Sequence, residues 1–98
     1  MLRLTLEKWR KDPESATGFV RECVDPQDPK RRVHFRARVT DAWGRGANLS
    51  VEDYASDPSF YDDGAGSGLG RSAGVSWHET AARARKAGDL KLKSLCKR

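Results

Sequence analysis

Arg32-Val33-His34-Phe35-Arg36-Ala37-Arg38-Val39-Thr40 alternates without a break between small or apolar residues and polar, mostly basic ones. Successive side chains on a strand point to opposite faces, so Val33, Phe35, Ala37 and Val39 share one face while Arg32, His34, Arg36, Arg38 and Thr40 share the other. One face belongs to a core and the other is a row of positive charge. The rest of the fold is read outward from this strand.

Upstream, Asp25-Pro26-Gln27-Asp28-Pro29-Lys30 holds two Asp-Pro steps, which disfavour helix at each Asp and fix φ at each Pro. It reads as a loop joining antiparallel strands. Before it, Gly18-Phe19-Val20-Arg21-Glu22-Cys23-Val24 has strand composition with an ambiguous face, and Lys11-Asp12-Pro13-Glu14-Ser15 is a polar turn. Leu2, Leu4 and Leu6, spaced by Arg3 and Thr5, have the period of a further half-buried strand.

Downstream, a short fourth strand can follow the Trp43-Gly44-Arg45-Gly46 turn. Ser50-Val51-Glu52-Asp53 resembles a capping box with Asp in place of Glu, which predicts a short helix stopped at Asp57-Pro58. A loop over 57–75 follows, with five glycines between Gly64 and Gly74. Ser76-Trp77-His78-Glu79 is a full capping box opening a helix through Ala87 that Gly88 can close, with Trp77, Ala81 and Ala84 on one face. For the tail from Asp89, Leu90 and Leu92 fit a strand, whereas Leu92, Leu95 and Cys96 fit a helix. The expected fold is α+β: a small antiparallel sheet of three to four strands, packed by one long C-terminal helix and one short helix. At 98 residues it is a single domain, 1–98.

The net charge of +5 is unevenly spread. Residues 1–40 hold ten Lys/Arg against six Asp/Glu, residues 41–70 one against six, and residues 71–98 eight against two. Such blocks make surfaces that attract or repel polyanions, or complement protein surfaces of different sign. No apolar run is long enough for a signal peptide or membrane span, so the expected setting is the cytoplasm. Cys23 and Cys96 lack CxxC spacing, which fits neither a disulfide framework nor a zinc site. One bridge between them is chemically open, although intracellular thiols usually stay reduced.

No cofactor or metal is expected. Gly68-Leu69-Gly70-Arg71-Ser72-Ala73 matches the loose G-x-G-x-x-A form but lacks the buried strand before it and the helix directly after it. Asp57, Asp62 and Asp63 lack the alternate spacing of a calcium loop. His34, His78, Glu79 and the two cysteines could in principle serve a ribonuclease-type toxin, but both histidines have structural explanations. The expectation is a protein that is not an enzyme.

Surface chemistry rests with the basic strand face and the basic helix. The candidate partner-binding residues are Arg32, His34, Arg36, Arg38, Arg83, Arg85 and Lys86, the set a phosphate-neutralising surface requires. The opposing structural reading is that the strand arginines pair across the sheet with Glu22 or Glu7.

Ala37-Arg38-Val39, then Asp53-Tyr54 and Ser56, then Phe60-Tyr61 and Gly66-Ser67-Gly68-Leu69-Gly70-Arg71 resemble, in order and approximate spacing, one of the small phage-encoded anti-CRISPR proteins. The layout of short strands, a short helix, a Gly-Ser-Gly loop and a closing helix is similar too. The resemblance covers about a third of the chain. It implies a non-enzymatic inhibitor that docks on the backbone subunits of an RNA-guided surveillance complex and blocks target DNA from pairing with the guide. The N-terminal contact residues of that family have no counterpart here. The expected partner is thus a host protein or ribonucleoprotein complex, with DNA or RNA bound directly by a nucleic-acid-binding module as the alternative. A ribonuclease toxin is the distant third, and no membrane is expected.

Overall fold

The computed structural model describes residues 3–56 and 70–97. Its elements are β1 (Thr5–Leu6), β2 (Arg10–Lys11), β3 (Phe19–Val24), β4 (Val33–Asp41), β5 (Ala47–Asp53), β6 (Arg71–His78) and α1 (Ala81–Cys96). The fold is α+β. One antiparallel sheet runs β1-β3-β4-β5-β6, with β2 also pairing β3, and α1 packs across β4 and β5.

The alternation of β4 sets the register. Phe35, Ala37 and Val39 point into the core under α1 and meet Cys23 on β3 and Val51 and Leu49 on β5. Helix α1 closes this layer with Ala84, Gly88, Leu92 and Leu95, one buried stripe at helical spacing. Gly88 lets the helix sit close to the sheet: a Cβ there would lie 3.1 Å from Leu49 Cδ1 and 3.3 Å from the Trp9 ring, pressing both side chains back.

The sheet is larger than the three to four strands expected, and the short helix is replaced by β5. In Ser50-Val51-Glu52-Asp53 the cap-like residues pair with β4, Ser50 opposite Arg38 and Glu52 opposite Arg36, while Ala47, Leu49 and Val51 alternate inward. A four-residue capping signal loses to seven paired residues with a buried face. The same happens at Ser76-Trp77-His78-Glu79. Ser76, Trp77 and His78 end β6 opposite Leu49, Asn48 and Ala47, and the helix starts later, capped by Thr80, whose hydroxyl accepts the Arg83 N–H at 3.1 Å. Trp77 therefore lies on a strand rather than on the inner face of a helix.

Gly88 does not close the helix, which continues to Cys96 and settles the tail as helical. Asp89 anchors the continuation: its Oδ1 accepts from Trp9 Nε1 at 2.7 Å and pairs with Arg21 at 2.5 Å. Cys23 and Cys96 are joined as a disulfide, which ties the core strand β3 to the end of α1 across 73 residues of sequence. Of the glycine-rich loop, 57–69 lie outside the described residues, and Arg71–Val75 belong to β6. Phe60-Tyr61 and the Gly66–Leu69 portion of the resemblance fall in that same stretch. Among the described residues no helix is long and apolar enough to cross a membrane.

Candidate interaction surfaces

The basic row of β4 lies on the sheet face away from α1, and carboxylates cover it. Arg36 faces Glu22 across the β3–β4 pair at 2.5 Å, and Glu22 also accepts Arg10 at 2.8 Å. Arg38 meets Asp12 and Glu14, both at 2.9 Å, and Glu52 at 3.3 Å. Burial by itself would lower the Arg38 pKa, and Asp12, Glu52 and Glu14 outweigh it and raise it. Arg36 also donates to the Tyr54 hydroxyl at 2.9 Å with its guanidinium over the Tyr54 ring, and that hydroxyl donates to Glu52. Burial, then the hydrogen bond to Glu52, pushes the Tyr54 phenol up, so it stays protonated.

This lattice is built by local turn chemistry as well as by strand register. Asp12 is buried because its Oδ1 caps the Glu14 N–H at 2.9 Å while its backbone N–H donates to Gly18 at 3.0 Å, folding the N-terminal turn toward Arg38. Sequence reasoning named Glu22 as a partner. It missed Asp12, Glu14 and Glu52, the first two because they arrive by a loop and the third because its strand was read as helix. Glu7, the other partner considered, pairs with Arg31 at 3.3 Å instead.

Arg32 pairs with Asp28 at 3.3 Å. His34 is buried at 4% exposure rather than standing in an exposed row. Burial lowers its pKa, against the opposing pull of Asp25, Asp28 and Asp53. The seven candidate residues are thus not brought together. The β4 set lies on one side of the sheet, and Arg83, Arg85 and Lys86 on the helix at the other. Arg83 pairs with Glu79 at 2.9 Å, and Arg85 lies 4.7 Å over the Phe19 ring. Among the described residues, no three His, Cys, Asp or Glu side chains are grouped to hold a metal ion.

Two other surfaces are open. The β4–β5 hairpin turns through Ala42-Trp43-Gly44-Arg45, with Arg45 N donating to Ala42 O at 3.0 Å and positive φ at both Trp43 (58°) and Gly44 (77°). That combination is the primed hairpin turn whose first central position favours Asn, Asp or Gly. Trp43 occupies it with 98% of its surface exposed. Beside it, Trp77 on β6 is 56% exposed and donates its indole N–H to Arg45 O at 2.8 Å, and its ring lies so close to Gly46 that a Cβ there would collide. Val75, also exposed, extends the patch along β6 on the face away from α1.

The second surface is the outward stripe of α1. Lys86, Leu90, Lys93 and Lys97 recur at helical spacing opposite the buried stripe, and all four are exposed. The sequence showed the lysines but not the stripe, because it left residues beyond Gly88 undecided. Compared with family models, with curated proteins and with solved structures, the chain has no match.

Proposed function

We propose that this chain is a small non-enzymatic binding protein of the kind its anti-CRISPR resemblance implies, an inhibitor that docks on a host ribonucleoprotein defence complex and keeps target nucleic acid out. The observation that carries the reading is Trp43, an almost fully exposed indole on a left-handed turn position. A bulky residue there costs about 1–2 kcal/mol of backbone strain and contributes nothing to the core. Strain of that kind persists where a partner uses the side chain, and tryptophan is among the residues that carry most of the energy of protein docking. Trp77 and Val75 widen the same patch.

Occupying a surface needs no catalytic group, and the setting in this reading is the host cytoplasm. The alternative, a nucleic-acid-binding module using both the strand face and the helix, loses its strand half to the carboxylates on Arg36 and Arg38.

The test is a plasmid-interference assay in a host that carries an active RNA-guided defence complex. Expression of the wild-type chain is expected to let a targeted plasmid survive, with the complex co-purifying on the tagged protein. Trp43→Ala is expected to lose both effects while remaining folded by circular dichroism. Undiminished protection by Trp43→Ala would sink the reading.

A further inference from the structure

We infer that the outward stripe of α1 is a track for the phosphate backbone of a nucleic acid. Lys86, Lys93 and Lys97, with Leu90 between the first two, lie at i, i+7 and i+11 on the helix face opposite the buried stripe. Lys91, also exposed, borders the buried stripe and lies off this face.

Among the described residues most arginines are neutralised by carboxylates, whereas these lysines, like Arg3, Lys8, Lys11, Arg45 and Arg71, are not. Arg10, Arg21, Arg36 and Arg38 each sit within ion-pair distance of a carboxylate. Among the described residues, Lys86, Lys91, Lys93 and Lys97 have no such partner. The one acid on α1, Asp89, is held by Arg21 and Trp9. The helix macrodipole accounts for Lys93 and Lys97 near the C-terminal turn, but not for Lys86 and Lys91 further back.

The chemistry of the stripe selects among polyanions. Lysine is a compact, hydrated point charge on a flexible stem, suited to phosphates and indifferent to sequence. The stripe holds no tryptophan or tyrosine to anchor a protein contact, and the arginine at its N-terminal end, Arg83, is paired with Glu79. Leu90 alone is too little apolar surface for insertion into a lipid interface. At 1.5 Å per residue, Lys93 and Lys97 are about 6 Å apart along the axis and Lys86 and Lys93 about 10 Å. Charges spread over that length can reach more than one phosphate of a backbone. The stripe and the Trp43 patch lie on different surfaces, so one protein can touch a protein subunit and the nucleic acid it carries. The second contact rests on its own evidence and survives if the inhibitor reading fails.

The experiment is fluorescence anisotropy of the full chain with a labelled random-sequence DNA duplex and the matching single strand across a salt series. The expected duplex result is binding indifferent to sequence, with log affinity falling against log salt at a slope of about −3. Lys86→Glu with Lys93→Glu is expected to weaken binding tenfold or more and to flatten the slope, while circular dichroism stays unchanged. Trp43→Ala is expected to leave both affinity and slope alone, which separates this inference from the docking reading. Absence of binding at low salt would overturn it, as would affinity unmoved by the double charge reversal. Equally tight, lysine-dependent capture of polyglutamate or of phosphatidylserine vesicles would overturn the assignment to nucleic acid.

Discussion

Arg36 and Glu22 face each other across the β3–β4 ladder at 2.5 Å, and Glu22 is 4% exposed. The pair turns a strand face that reads as a cationic surface into an internal charge lattice. Removing one partner of a buried pair costs about 3–5 kcal/mol, because the remaining charge is left without compensation, whereas replacing both partners by apolar side chains is often neutral. Glu22→Ala is therefore expected to lower the unfolding free energy by about 3 kcal/mol in denaturant titration. Glu22→Leu with Arg36→Met should recover most of that loss, since Arg10, half exposed, can return to water. Equal destabilisation by the single and double changes would show that the pair is not the element at stake.

The disulfide between Cys23 and Cys96 closes a loop spanning 73 residues of separation. Loop-closure entropy assigns such a bridge about 4 kcal/mol. In a domain of this size that corresponds to a fall in melting temperature on the order of 20 °C on reduction. Thermal melts with and without reductant, and of Cys96→Ser, should agree with each other. A melting temperature unmoved by reductant would mean that packing of Cys23 and Leu92, both fully buried, carries this junction without the covalent bond.

His34 gives the chain a pH dependence of known sign. Burial depresses its folded pKa below the unfolded value of about 6.5, although Asp25, Asp28 and Asp53 pull the other way and Arg32 adds to the depression. The unfolded state then binds the proton more readily. The stability tied to neutral His34 is complete above about pH 6.5 and is lost as pH falls through the lower folded value. Denaturant midpoints should drop between about pH 7 and pH 5, and His34→Gln should flatten that slope. A slope unchanged in His34→Gln would assign the effect to the carboxylates around it.

How much of this could be read from residues alone follows from the range of each signal. The alternation of Arg32 to Thr40 spans nine residues and specified β4 and its inward face correctly, because burial on one face enforces a period of two over the whole strand. Ser50–Asp53 and Ser76–Glu79 are four-residue motifs, and pairing with β4 and β5 overrode both. Gly88 read as a helix end, but the helix runs through it, and there it packs closely on Leu49 and Trp9. The basic strand face was legible as a pattern and its neutralisation only in part. Glu22 lies one strand away, whereas Asp12 and Glu14 arrive through a turn that no periodicity predicts.

Trp43 offers the sharpest separation of stability from function. Its φ of 58° suits Asn far better than a bulky side chain, and its ring makes no contribution to the core. Trp43→Asn should raise the unfolding free energy by about 1 kcal/mol, or about 4–8 °C in melting temperature, through relief of the left-handed backbone strain. The same change should weaken docking on the protein partner, since it deletes the anchor. Most substitutions that impair binding at an exposed site leave stability level, so opposite movements of the two readouts identify a residue retained against the interest of the fold. Thermal melts and co-purification of the same variant check both. If Trp43→Asn melts at or below the wild-type temperature, the turn carries no strain and the argument that Trp43 is kept for a partner fails.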